Sequence, residues 1–289
     1  MKAVCVVLNY NDAGTTERLV KRIRNYSCFQ HVVIVDNAST DNSWERLLML
    51  QDQKVCVIRA SENGGYGAGN NLGIRYAVKR FGASHVLLCN PDVSFSNDCA
   101  ERMMRVFERH PDVGVVTARM VDSVYADMRN GWPLRCFWGE LLAMGPVSRR
   151  VFHSLLNYPD SYFEGKHGVY VDVVHGSFLM VDARAFRKCG GYDEGIFLYQ
   201  EEAVLGQRMK RAGYRTVLVL DQEYGHEHGV SIGKSVRSAV ERQRLREESV
   251  MYYLRRYLHV GRVRRGIAKI WFWGVRGETV LGGMVKALR

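Results

Sequence analysis

The chain has 289 residues, 47% of them hydrophobic, enough for one large α/β domain or for one domain with a small appendage, and a formal charge of +11. Nine Lys/Arg against one Glu between Arg255 and Arg289 put about +8 in the tail and leave the remainder nearly neutral. Seven cysteines without a C-x-x-C pair exclude a disulfide or zinc framework, an apolar N-terminal run ending at Asn9 is too short for a signal peptide, and no stretch approaches a membrane span, so the expectation is a cytoplasmic protein, soluble or lying on a membrane surface.

In chain order, apolar runs near 3–8, 32–35, 55–58, 85–89 and 113–117 read as strands, and amphipathic stretches near 13–25, 42–51, 67–80 and 97–109 read as helices. Thr40 or Asp41 before "NSWERLLML" and Ser96 before "NDCAERMMRVF" suit helix caps. This β-α-β-α rhythm predicts a mostly parallel, Rossmann-like α/β sheet with helices on both faces, whose ligands bind beyond the carboxyl ends of its strands. The pattern turns irregular and aromatic over 120–168, becomes strand-like at 169–174, 177–182 and 215–220, and reads as a helix over 201–212. After Ser235 a charged helical pattern runs to about 257, followed by the basic tail.

The segments after the strands carry the chemistry. Asp36 in "VIVDNAST" suits accepting an N–H of a pyrimidine ring or a ribose hydroxyl, and equally suits capping the turn that follows. "NGGYGAGNN" (63–71) lets backbone approach a ligand, or simply makes a tight turn; its spacing fails the dinucleotide fingerprint, as "GVSIGKS" (229–235) fails the phosphate-loop spacing. Asp92 in "CNPDV" suits Mg²⁺ or Mn²⁺ ligation, which uses oxygen donors and keeps substrate phosphates in the coordination shell; an ordinary Pro-Asp turn is the other reading. Glu201 and Glu202 head a helix, where the helix dipole favours acids and where a general base also has to be held. His226 and His228 in "YGHEHGVS" read as metal ligands or as structural histidines.

Taken together and in this order, "VVLNYN", "VDNASTDNS", "NGGYGAGNN", "NPDV", "HGSFLMV", "GGYDEGIFLYQEE", "QRMKRAGYR" and "HEHGVS" resemble the family-2 inverting glycosyltransferases with the GT-A fold, over about residues 3–231. "GYGAGNN" and "NPDV" look most like the bacterial enzymes that transfer L-rhamnose from a dTDP donor in cell-surface polysaccharide assembly; a UDP-sugar donor is the alternative. The resemblance implies that Asn9, Asn11 and Asp36 line the nucleotide pocket, Asn63 and Gly64 border the diphosphate and sugar, and Asp92 holds a divalent metal with the donor diphosphate. Asn90 stands at the first acid of the D-x-D motif, and His226 where some relatives place a further metal ligand. Glu202 stands at the base position, usually Asp, and Val204 where another acid is usual, which leaves both Glu201 and Glu202 as candidates and motivates a non-catalytic nucleotide-sugar-binding relative as a rival reading.

Trp132, His175, Gly176 and Ser177 are expected on the side of a saccharide or lipid-linked acceptor. Residues 1–235 then form the GT-A domain, with a nucleotide-sugar half (1–120) and an acceptor half (121–235), and 236–289 a helical, basic extension. Its "IAKIWFWGV" suits either an anionic membrane surface at the inner face of the cell membrane, with Trp271 and Trp273 at the interface, or packing on the domain. No nucleic-acid motif accompanies the charge. A nucleotide-linked oxidoreductase or methyltransferase would need its Gly-rich loop after the first strand, where this chain has "NYNDAG".

Overall fold

A computed structural model describes residues 1–121, 130–227 and 238–287, and in the last segment the side chains of 238 and 240–278. The strands are β1 (Ala3–Asn9), β2 (His31–Asp36), β3 (Val55–Arg59), β4 (His85–Cys89), β5 (Val93–Ser94), β6 (Val113–Val121), β7 (Gly131–Trp132), β8 (Gly168–Val171), β9 (Val173–Val174), β10 (Phe178–Asp182) and β11 (Arg215–His226). The helices are α1 (Ala13–Ile23), α2 (Ser43–Leu48), α3 (Gly65–Phe81), α4 (Asn97–Arg109), α5 (Phe137–Met144), α6 (Pro146–Val151), α7 (His153–Leu156), α8 (Ala183–Cys189), α9 (Glu201–Arg211), α10 (Ala239–Arg256) and α11 (Arg262–Ala287).

The main sheet has the order β3-β2-β1-β4-β10-β6-β11-β5, with β8 also paired to β11. β1, β2, β3 and β4 pair in parallel, as do β6 and β11, while β10 runs antiparallel between β4 and β6. The strands read as continuous apolar runs because both faces are covered. Cys5, Val7, Val32, Ile34 and Leu87 belong to one core cluster, and the alternate residues Val4, Val6, Val33, Val35 and Val86 to the other. Ser96 caps α4 by accepting the Cys99 N–H at 3.1 Å, and Asp41 accepts the Ser43 N–H at 2.9 Å at the start of α2.

Two features of this topology build the mouth. From β1 the chain moves outward to β2 and β3, then returns to the other side of β1 for β4, so the carboxyl ends of β1 and β4 flank a topological switch point. The antiparallel β10 starts at that same edge, with Phe178 opposite Cys89, which delivers residues 175–177 to it.

The C-terminal helices are packed, not detached. Phe137 and Leu141 of α5 share a core with Val250, Leu254, Ala268 and Phe272 of α10 and α11, and Val204 of α9 is buried with Tyr253 and Tyr257. The sequence pairs Trp271 with Trp273 as interface residues, but the structure separates them: the Trp271 indole donates to the Leu141 carbonyl at 2.8 Å, facing inward, while Trp273 is 76% exposed. Two aromatic residues two positions apart on a helix point in different directions. Among the described residues, no helix is long and apolar enough to cross a membrane.

Candidate active site

The end of β1 and the loop after β2 form one hydrogen-bonded unit. Asp36 is fully buried and accepts from the Asn9 amide at 3.1 Å, the Ser39 N–H at 3.2 Å and the Ser39 hydroxyl, with the Arg59 guanidinium 3.4 Å away. The Asn9 carbonyl oxygen in turn accepts from the Thr16 hydroxyl at 2.8 Å, which fixes which way its amide points. Asn11 has a left-handed backbone, φ +52°, and its side-chain oxygen accepts the Thr40 N–H at 2.8 Å. Such a conformation for a non-glycine residue is costly and clusters at binding sites. The Asp36 carboxylate thus holds the turn after β2 through Ser39, which is itself buried, and of this unit Asn11 is part-exposed.

The "NGGYGAGNN" segment differs from the expectation of backbone cradling a ligand. Gly65, Gly67 and Gly69 face protein: a Cβ there would lie 2.1 Å from the Phe197 carbonyl oxygen, 3.0 Å from Tyr192 and 2.4 Å from Leu8, and just beyond the segment one on Gly73 would lie 2.4 Å from Val6. Asn63 receives the Asn37 amide at 2.8 Å and the Gly65 N–H at 3.1 Å, and with Gly64 it forms the lip before α3. Spacing alone does not distinguish a glycine that admits a ligand from one that admits a neighbouring strand or loop.

At the switch point, Pro91 and Asp92 turn the chain from β4 into β5, and Asn90 is anchored by its N–H to the Ser177 carbonyl at 2.8 Å. β11 pairs with β5, His226 opposite Val93, and this brings the His226 Nε2 to 3.3 Å from the Asp92 Oδ1. Both side chains are buried. His228 and residues 229–235, which include the rest of the "HEHGVS" motif, lie outside the described residues. Among the described residues, no group of three or more His, Cys, Asp or Glu is arranged to hold a metal.

Glu201 and Glu202 separate into different environments. The loop before them has two consecutive left-handed residues, Tyr199 at φ +69° and Gln200 at φ +68°. Glu201 points into the protein; burial, and then the neighbouring Glu202, push its pKa well above the usual carboxylate range, and its Oε2 has no hydrogen-bond partner among the described residues. Glu202 lies on the wall of a cavity of about 450 Å³, with Trp132, Arg149, Tyr199 and Arg246. Burial raises its pKa too, opposed by hydrogen bonds from its own backbone and from the Gly176 N–H, 3.3 Å from the Oε1. Val204, at the position where another acid is usual, is fully buried against Tyr253, so an acid there would be desolvated by α10.

Residues 175–177 join the two halves of the site. Gly176 donates to Glu202, its carbonyl accepts from the Tyr66 hydroxyl, and the His175 ring lies 5.4 Å from that of His226, which contacts Asp92. Ser177 is buried between His175 Nδ1 and the Tyr224 hydroxyl, each 3.0 Å from its Oγ. The structure thus gathers Trp132, His175, Gly176 and Ser177 with Glu202, and sets Asn90, Asp92 and His226 next to them. Sequence reasoning missed Tyr66, Tyr199 and the cavity arginines: Tyr66 was visible only as the one aromatic in a glycine run, and the arginines only as part of a general positive charge. A larger cavity of about 1050 Å³, lined by Ile74, His85, Asp182 and Phe186, lies toward the amino end of β4, away from these residues.

A switch-point acid beside a histidine, with Glu202 on an adjoining cavity wall, sits on a sheet of the GT-A glycosyltransferase class. The chain belongs to one family of that class: residues 4–181 match the family described as "Glycosyl transferase family 2". It is 28% identical over 213 residues to the N-acetylglucosaminyl-diphospho-decaprenol L-rhamnosyltransferase of Mycobacterium tuberculosis, covering 70% of this chain and 68% of that one. It is 24% identical over 207 residues to the low-salt glycan biosynthesis hexosyltransferase of Haloferax volcanii, covering 71% of this chain and 61% of that one, so it spans under two thirds of that relative's length. Among solved structures, the mannosyltransferase from Pyrobaculum calidifontis in complex with GDP-Man and Mn²⁺ superposes with a TM-score of 0.59 at 15% identity, over 99% of this chain and 75% of that one.

Proposed function

We propose that the protein is an inverting, metal-assisted glycosyltransferase that moves L-rhamnose from dTDP-L-rhamnose to a saccharide or lipid-linked saccharide acceptor in cell-surface polysaccharide assembly. The observation that carries this reading is the placement of Glu202 on a cavity wall, joined through residues 175–177 to the Asp92–His226 pair at the switch point. The rhamnosyl donor is supported by the likeness of "GYGAGNN" and "NPDV" to rhamnosyltransferase segments and by the mycobacterial relative.

Glu202 is the base and Glu201 is not. Glu202 reaches the cavity, and burial holds its pKa closer to the operating pH, which suits proton acceptance. As the acceptor oxygen attacks the anomeric carbon, its proton passes to Glu202 and the bond from that carbon to the donor diphosphate breaks; a single displacement inverts the configuration. Gly176 positions the carboxylate by its N–H. Asn9, Asn11 and Asp36 line the nucleotide pocket, with Asp36 toward the pyrimidine and Ser39 fixing its carboxylate, and Asn63 and Gly64 border the diphosphate and sugar.

Asp92 and His226 fit a divalent cation in part: an oxygen and a nitrogen donor converge from two strands, where Mg²⁺ or Mn²⁺ needs about six ligands. A bound metal would neutralise charge on the departing diphosphate. With two protein donors, metal affinity should be low for the protein alone and rise when nucleoside diphosphate is added.

Residues 1–235 are assigned as the GT-A domain, with 1–120 the nucleotide-sugar half and 121–235 the acceptor half. The extension 236–289 closes the acceptor side and rests on an anionic membrane surface through the outer face of α11, where Val263, Ile270 and Trp273 are exposed among basic residues. The test is nucleoside diphosphate release from dTDP-rhamnose and a panel of UDP-sugars, with lipid extract and Mg²⁺ or Mn²⁺. Turnover lost in both Glu202→Gln and Asp92→Ala, with folding intact, is the expected result. No release from any donor by the unmodified protein would leave a non-catalytic binding relative as the better reading.

A further inference from the structure

The cavity beside Glu202 is cationic on the side away from the base. Arg149 of α6 and Arg242 and Arg246 of α10 line it, against a single carboxylate, Glu202. Arg242 and Arg246 sit at i, i+4 on one helix, where like charges repel, and Arg149 adds a third charge from an element distant in sequence. On the same two helices, Arg244 lies 3.0 Å from Glu248 and Arg276 lies 2.8 Å from Glu247. Among the described residues no Asp or Glu forms an ion pair with Arg149 or Arg246; the Arg246 guanidinium lies over the Tyr199 ring, 4.8 Å from its centroid, held beside the cavity. Like charges gathered around a concave site set up a positive potential that favours an anion there.

We propose that this cavity is a phosphate subsite for the acceptor: Arg149, Arg242 and Arg246 bind the phosphate or diphosphate ester that links the acceptor sugar to its carrier, with the sugar placed against Trp132 and Glu202. The assignment rests on the reading of Glu202 as the base of a glycosyl transfer. Guanidinium forks match phosphate oxygens in geometry and stay charged at any working pH. The cavity volume of about 450 Å³ is in the range that encloses a small ligand. The bound phosphate takes no part in bond making: the acceptor hydroxyl loses its proton to Glu202, the new bond forms at the donor anomeric carbon, and the leaving diphosphate departs on the Asp92 side. The acceptor's anion and the donor's anion are thus held by different residues on either side of the reacting carbon.

The experiment compares two acceptors, a synthetic N-acetylglucosaminyl diphosphate on an alkyl chain and the same sugar as an uncharged alkyl glycoside. In the unmodified protein the diphosphate acceptor should have a KM at least about tenfold lower, and Arg149→Gln and Arg246→Gln should each raise it about tenfold, the scale of one charge-assisted hydrogen bond, so that the ratio of the two KM values falls toward one. The Kd for nucleoside diphosphate with Mn²⁺ should stay as in the unmodified protein. Equal KM values for the two acceptors in the unmodified protein overturn the assignment, as does a parallel loss of nucleoside diphosphate affinity in the variants, which would place the arginines on the donor. If no donor is turned over, the transferase reading has failed instead. The subsite is then tested by calorimetry with inorganic pyrophosphate without metal, where binding no weaker in the Arg149→Gln/Arg246→Gln double variant than in the unmodified protein rejects it.

Discussion

Glu201 and Glu202 differ by one position and by almost everything else. On a helix, adjacent residues point about 100° apart, so one faces the core and its neighbour the cavity. Glu202→Gln should lower kcat about a thousandfold, the usual scale of general-base loss, and the acid limb of kcat/KM in the unmodified protein should lie above the ordinary carboxylate value, the rate falling as pH drops through the raised Glu202 pKa. Glu201 makes the opposite kind of prediction. Its folded-state pKa is raised, so its contribution to stability is fully present below the unfolded pKa and is lost as pH rises through the folded one. Glu201→Gln should therefore raise Tm at neutral and alkaline pH, with the advantage over the unmodified protein vanishing as pH falls toward 4. Thermal melts of both proteins across pH check this, and a difference that grows on acidification would reverse the assignment.

At the scale of elements, the site depends on close approaches between segments distant in sequence. Gly65 begins α3 at φ +88°, and its neighbour Tyr66 donates its backbone N–H to the Phe197 carbonyl at 3.0 Å, in the loop that leads to Glu202. Gly65→Ala combines left-handed strain with a clash against Phe197 backbone and should cost about 2–4 kcal/mol. Denaturant unfolding would measure it, and turnover should fall with it because the 197–202 loop is displaced. A cost under about 0.5 kcal/mol would mean the loop yields freely. Asp193, in the segment most distinctive in sequence, serves the scaffold. Burial opposes its charge, but the Tyr257 hydroxyl, the Gly195 N–H and Arg208 hold its carboxyl below the usual range and so fasten the α9 region to α10.

For the whole molecule, α10 and α11 complete cores shared with α5 and α9, so deleting them would expose Val204, Phe137 and Leu141 and confuse membrane release with unfolding. Substitution of the outer face is the sharper test. Val263, Ile270 and Trp273 are 80%, 75% and 76% exposed, and changing all three to Ser should leave Tm unchanged while weakening binding to anionic vesicles at least about tenfold, given the apolar area removed. Cosedimentation with vesicles at low and high salt reads this; equal binding by the triple variant would assign the contact to another face.

Apart from the two-residue β5, the strand and helix order through residue 121 was legible in sequence because both-face burial writes unbroken apolar runs and amphipathic periods into adjacent residues. Candidate residues were legible for the same local reason: Asp92, Glu202 and His226 stand at the ends of recognisable elements. Local pattern does not carry long-range contact. That β10 runs antiparallel and brings Gly176 to Glu202, that His226 meets Asp92, and that the glycines of α3 admit protein neighbours all depend on segments 26 to more than a hundred residues apart. Of the chain's positive charge, only the tertiary structure decided which arginines pair with acids and which line the cavity, because that choice is made by helix packing, not by the order of residues.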